Sequence, residues 1–186
     1  KHLIFSQTRP DYLERPYSKT SLMRMNLNDY SVDTLFADMR WGVSISYSPD
    51  GKYLLATGGP SAFGSLGENI QPGSIANNYD TQAYLIELKT LQVKSITLNF
   101  DPSVSSVRWH AQSGDVFILA VDEDRQQIYR YNPVRDQFTL VETGMEFASS
   151  MELSSGSSIM TFLANQVNQP RKAYLMNLRN RQTRIL

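Results

Sequence analysis

The chain has 186 residues, in which 18 Lys plus Arg balance 18 Asp plus Glu, and it has no cysteine. Zero formal net charge leaves no broad electrostatic footprint for nucleic acid or an anionic membrane surface, and without cysteine there is no disulfide, thiolate metal site or cysteine nucleophile. No apolar run approaches the ~18 residues that span a bilayer, and the opening KHLIFSQTRP lacks the apolar core of a signal peptide.

The first elements in chain order are three alternating stretches, HLIFSQ (2–7), SLMRMNL (21–27) and SVDTLF (31–36). YSPDGKYLLATGG (47–59) follows: a strand end, a polar turn and an apolar strand. Residues 58–82, GGPSAFGSLGENIQPGSIANNYDTQ, are dominated by Gly, Pro, Ser and Asn and read as a loop. Long loops in compact domains are commonly functional. AYLIELKTLQVKSITL (83–98) is a hairpin, with Tyr84, Ile86 and Leu88 on one face and Leu85 and Glu87 on the other.

The pattern then recurs twice. RWHAQSGDVFILAV (108–121) precedes the hairpin IYRYNPVRDQFTLVET (128–143), and MELSSGSSIMTFLA (151–164) precedes AYLMNLRNRQTRIL (173–186). Gly51, Gly114 and Gly156 sit in the corresponding turns, and Tyr84, Tyr129 and Tyr174 fall 45 residues apart at equivalent places. Four short strands, a to d, in each unit of ~40–50 residues is the pattern of a β-propeller blade. Such a sheet buries its faces only against neighbouring sheets.

The expectation is therefore an all-β chain forming a partial β-propeller, as one segment over 1–186. Three complete four-stranded blades are placed at about 40–98, 102–143 and 145–186, and an incomplete N-terminal blade at about 1–39 lacks strand a. Closed propellers use four to eight blades, so the chain reads as a piece of a larger one. Self-association is expected, because an arc leaves apolar terminal faces uncovered.

SPDGKYLLATGG (48–59) resembles the repeats of TolB-like and WD40-like propellers, and also those of the propeller domain of the prolyl oligopeptidase and dipeptidyl peptidase IV family of serine peptidases. The last unit, SSMELSSGSSIMTFLANQVNQPRKAYLMNLRNRQTRIL (149–186), is similar to blades of secreted bacterial members, where a Pro-x-x-Ala-Tyr-x-x-x-Leu phrase precedes a short basic hairpin. The resemblance implies a non-catalytic segment that gates peptide access to a C-terminal α/β-hydrolase domain absent from these residues. It implies a parent that is a serine-type exopeptidase or oligopeptidase, and a periplasmic or secreted location. Paired glutamates hold the substrate amine in some members; no Glu-Glu pair occurs here, so that role passes to no residue. The alternative is a TolB-like or WD40-like propeller that acts as a protein–protein interaction module. A third reading, a propeller enzyme with its own site, needs clustered carboxylates that the sequence does not show.

GGPSAFG (58–64) imitates a nucleophile elbow. That turn needs glycine two residues either side of serine; around Ser61, Gly59 fits but Phe63 does not, and GSLGENIQPG breaks the helix that should follow. The histidines are His2 and His110, and His110 is expected to make a turn hydrogen bond. No catalytic, cofactor-binding or metal-ligating residue is assigned. VDEDRQQ (121–127) lacks the ligand spacing of a calcium loop, and RNRQTR (179–184) is a basic hairpin turn. The loop at 58–82 and the turn at 121–127 both join strands b and c, so they are expected to share one rim. The substrate-side candidates there are Ser61, Phe63, Glu68, Asn69 and Tyr79 from the first, and Asp122, Glu123 and Arg125 from the second.

Overall fold

Alternating apolar residues and glycine-bearing turns fold here into antiparallel meanders. The structure is a computed structural model that describes residues 1–71, 73–74 and 79–186, and no helix occurs among the described residues. The first group of strands is β1 (His2–Pro10), β2 (Ser18–Asn26) and β3 (Val32–Met39), paired in that order. The second is β4 (Ser44–Tyr47), β5 (Tyr53–Gly58), β6 (Gln82–Glu87) and β7 (Val93–Ser95). The third is β8 (Ser103–Trp109), β9 (Val116–Asp122), β10 (Arg125–Asn132) and β11 (Gln137–Leu140). The fourth is β12 (Phe147–Leu153), β13 (Ile159–Gln166), β14 (Gln169–Asn177) and β15 (Thr183–Ile185). One parallel bridge, Gln126↔Phe147, joins the last two groups. In the first group β1 and β3 run further than the sequence pattern indicates, to Pro10 and Met39.

Two turns repeat because the same backbone groups need the same partners. In the turn between the first two strands of a group, Ser48 N donates to Tyr53 O at 2.8 Å, His110 N to Asp115 O at 2.8 Å, and Ser154 N to Ile159 O at 2.9 Å. Gly51 and Gly114 take φ of 69° and 71° there, where a Cβ would be strained. Asp50 braces the first of these turns, accepting from Ser48 Oγ at 2.7 Å and Lys52 N at 3.1 Å. The Ser48 bond, then the Lys52 amide, hold its carboxyl below the ordinary carboxylate range. The last turn of each group starts at Asn26, Glu87, Asn132 or Asn177 and puts its fifth residue in the left-handed region: Tyr30, Leu91, Asp136 and Arg181, at φ of 60°, 57°, 52° and 59°.

The core lies between the groups. Leu22, Leu35 and Met39 pack on Leu54, Ala56, Tyr84 and Ile86; Leu55, Ala83 and Ile96 pack on Val104, Val116, Ile118 and Tyr131; Phe117, Leu119 and Ile128 pack on Met151, Met160, Phe162 and Met176. Alternation along one strand serves two neighbours at once. On β5, Leu54 and Ala56 face the first group while Leu55 faces the third. The three repeated tyrosines are in register, Tyr84 opposite Ala56, Tyr129 opposite Ile118 and Tyr174 opposite Phe162, and each packs toward the preceding group.

Candidate functional site

The long connection between β5 and β6 is built from the inside out. Tyr84 is fully buried on β6, so its hydroxyl needs a partner. It donates to Gly59 O at 2.8 Å and lies 3.1 Å from Pro60 O, pulling the start of the connection onto the sheet. Burial, then the charge of Glu68, push this phenol up to about 12. Ala62 N donates to Gly59 O, Gly67 N to Pro60 O and Glu68 N to Ser65 O, which makes 59–68 a compact knot. Phe63 meets Phe36 edge-on at 5.3 Å and Tyr84 at 5.0 Å, pinning the knot across the first two groups. A Cβ on Gly67 would sit 2.1 Å from the Tyr84 hydroxyl and 2.6 Å from Pro60 O. Only glycine fits there.

The knot forms one wall of an open cleft of about 660 Å³. Ser61, Phe63, Leu66 and Glu68 line it from the loop, and Phe36, Asp38 and Arg40 from the end of β3 and beyond. Asp38 is held by Arg9, whose Nη2 lies 2.8 Å away. The cleft thus offers a cation, two carboxylates and an aromatic edge. It holds no histidine beside Ser61, because His110 is buried elsewhere with its Nδ1 2.8 Å from Ser113 Oγ, as a turn residue. The arrangement places charged groups and an aromatic edge around one open cleft.

The β9–β10 connection is the short counterpart, only Glu123 and Asp124, with Glu123 at φ 53°. Asp122 accepts from the Tyr129 hydroxyl. Burial first, then this carboxylate, raise the Tyr129 phenol above its ordinary value. Asp122 and Arg125 line a shallow depression of about 270 Å³ together with Glu142 and Glu146. The two connections lie at one end of adjacent sheets: Thr81 O accepts from Val104 N at 3.4 Å, and the neighbouring Ser103 pairs with Val121.

Of the sequence candidates, Ser61, Phe63 and Glu68 share the larger cleft, and Asp122 and Arg125 share the smaller depression. Asn69 turns aside and donates to Leu98 O at 3.2 Å. Tyr79 is 97 % exposed, and Glu123 projects from the turn. Pro72 and residues 75–78 of the predicted loop lie outside the described residues. Sequence reasoning missed Asp38 and Arg40, which carry no local motif, and also Asp115 and Arg130, which meet at 2.5 Å across β9 and β10. A signal existed for the latter: Arg130 stands where the second and fourth groups place Leu85 and Leu175.

No protein-family model matches the chain, and no curated protein matches it. Solved structures do. The chain is similar to TolB from Acinetobacter baumannii at 18 % identity and a TM-score of 0.65, over 90 % of this chain and 38 % of that one. It is similar to the β-propeller domain of the Trilobed protease from Pyrococcus furiosus at 13 % identity and a TM-score of 0.68, over 94 % and 46 %. It is similar to the acylaminoacyl peptidase of Pyrococcus horikoshii at 16 % identity and a TM-score of 0.69, over 100 % of this chain and 25 % of the peptidase. The chain therefore spans less than half the length of these neighbours. At such identities the likeness establishes the fold, an all-β propeller architecture, and nothing about chemistry.

Proposed function

We propose that this chain is a non-catalytic propeller segment of a serine peptidase of the prolyl oligopeptidase type, controlling peptide entry to a hydrolase domain outside these residues. In this reading the four strand groups are blades, incomplete over 1–39 and complete over 40–98, 102–143 and 145–186. The supporting observation is the knot at 59–68: it belongs to a connection longer than its counterparts at 11–17, 123–124 and 167–168, and it is anchored by Tyr84 and Phe63 and shaped into a cleft with Arg40 and Glu68. A rim loop that is packed and charged fits a selective entrance better than a tether. The cleft and the Asp122–Arg125 turn lie at the same end of the sheets, and Ser61, Phe63, Glu68, Asn69, Tyr79, Asp122, Glu123 and Arg125 are the substrate-side residues of this proposal. A periplasmic or secreted location belongs to the same proposal.

A second reading, a TolB-like interaction module, draws on the TolB neighbour and on apolar side chains directed away from the segment at its two ends. These include Leu3 and Val32, 50 % and 45 % exposed, at one end, and Leu163 and Leu175, opposite the buried Phe162 and Met176, at the other. They also support self-association of the isolated segment.

The test is an assay of the full gene product and of residues 1–186 against proline-containing chromogenic peptides, with the mass of the segment measured in solution. The expected result is hydrolysis by the full product only, abolished by a serine-directed organophosphorus inhibitor, and a segment that associates. Hydrolysis by residues 1–186 alone, or a full product with no inhibitor-sensitive activity, overturns the peptidase reading, and the second outcome favours the interaction module.

A further inference from the structure

The cleft between the third and fourth groups departs from the repeat. At the same register position of the third strand, the second and fourth groups carry Leu85 and Leu175, and the third carries Arg130. Its counter-ion, Asp115, takes the turn position filled by Tyr53 and Ile159 in the other groups. Asp115 is 1 % exposed and accepts from Arg130 Nε at 2.7 Å and Asn132 Nδ2 at 2.7 Å, with Arg130 Nη2 at 2.5 Å. The first group also has arginine at this position, but Arg24 answers Asp33, whose side chain is 66 % exposed. A buried carboxylate that fixes a half-exposed guanidinium is expensive at a position that the second and fourth groups fill with leucine. Departures of this kind from an internally consistent pattern concentrate at functional positions.

Two more guanidiniums line the same cleft. Arg135 comes from the turn after β10, where its amide donates to Asn132 Oδ1 at 2.9 Å. Arg181 comes from the equivalent turn after β14, at φ 59°. Neither side chain makes an ion pair among the described residues. The floor is apolar, with Phe117 and Met176 buried and Leu178 and Val141 beside them, and the volume is about 240 Å³. The one acidic lining residue is Glu142. Three guanidiniums set against Asp115 and Glu142 leave one positive charge in excess, in a chain whose net charge is zero.

We infer that this cleft binds a monoanionic carboxylate carried on a small apolar body, such as an acylated amino acid or the carboxyl end of a peptide with an apolar last residue. Planar guanidiniums match a carboxylate through paired hydrogen bonds, and the Phe117–Met176 floor takes the side chain. The volume fits one amino-acid-sized body and is below the range of drug-sized pockets. The site stands on its own geometry and does not depend on the peptidase reading.

The experiment titrates the 186-residue chain with N-acetyl-leucine, N-acetyl-leucinamide, acetyl-Gly-Gly-Leu and inorganic phosphate, following binding by calorimetry. N-acetyl-leucine is expected to saturate one site and the amide to bind about tenfold more weakly or not at all, because the charge-assisted bonds are lost. Arg135→Gln and Arg181→Gln, both in exposed turns, are each expected to weaken binding by about three- to tenfold, and together to abolish it. Arg171→Gln, away from the cleft, is the control that leaves binding unchanged. Equal affinity for acetyl-Gly-Gly-Leu supports a free acid as the natural ligand, and tighter binding of it supports a peptide terminus. The inference is overturned if the amide binds as well as the acid, if the double variant retains affinity, if phosphate binds as tightly as N-acetyl-leucine, or if nothing saturates.

Discussion

The β5–β6 and β9–β10 connections join equivalent strands and could hardly differ more. One runs through residues 59–81 and carries a hydrogen-bonded knot; the other is Glu123 and Asp124 alone. Yet the strands they join keep the same register, with Ala56 opposite Tyr84 and Ile118 opposite Tyr129. The sheet is set by its ladder and by the apolar faces on either side, so it tolerates any connection that brings the ends back. The 59–68 part of the long connection stays compact because it borrows core residues: Ala62 is buried, Phe63 half-buried, and Tyr84 lends a hydroxyl from below. The short turn needs only its own backbone.

That contrast breaks most sharply at Gly67. Gly67→Ala drives a Cβ into Tyr84 and Pro60, and a loss of about 2–3 kcal/mol in urea unfolding is expected from such overpacking. Gly64→Ala, at φ 67° with open space around its Cβ, is expected to cost only about 1 kcal/mol through backbone strain. Equal costs would show that the knot yields freely and that Tyr84 does not organise it.

Tyr84→Phe is the next largest. It removes one donor while Gly59 O and Pro60 O keep their backbone partners from Ala62 and Gly67, so about 1 kcal/mol is expected. Burial, reinforced by the charge of Glu68, gives the same phenol a pH dependence. The folded-state phenol is raised to about 12, above the ordinary 10.0, so its contribution is present below pH 10 and is lost as pH rises through about 12. Ultraviolet titration of wild type against Tyr84→Phe should show one fewer tyrosine ionising above pH 10. A difference spectrum centred at pH 10 contradicts the burial of this phenol.

The short turn supplies the smallest effect, of opposite sign. Glu123 is a non-glycine residue at φ 53°, first in a two-residue hairpin connection. Glu123→Gly relieves the left-handed strain, and a gain of up to about 1 kcal/mol is expected by thermal unfolding. A loss would mean that the side chain stabilises the turn.

Much of this organisation was legible in the order of residues. The 45-residue spacing of Tyr84, Tyr129 and Tyr174, the turn at Gly51, the face shared by Tyr84, Ile86 and Leu88, and the loop at 58–82 all follow from alternation and turn chemistry. These are local signals, so they survive without knowledge of the neighbours. The candidate site was legible only by half. Ser61, Phe63 and Glu68 come from one loop, but the opposite wall, Asp38 and Arg40, comes from a segment with no motif. Phe63, a candidate for contact with substrate, also packs on Phe36 and Tyr84, a pairing visible only once the first two groups meet.

The sequence by itself determined the strand repeat, the turns and the side of each sheet that must be covered, because period-two alternation and left-handed turn positions are properties of consecutive residues. Only the tertiary structure decided which charges face one another. Asp115 finds Arg130 across β9 and β10, and Arg135 lines the same cleft as Arg181 from a turn 45 residues earlier in the repeat. Coulombic and hydrogen-bonding partners are chosen by distance in space. In this array that distance is set by the packing of apolar faces, in which those side chains take no part.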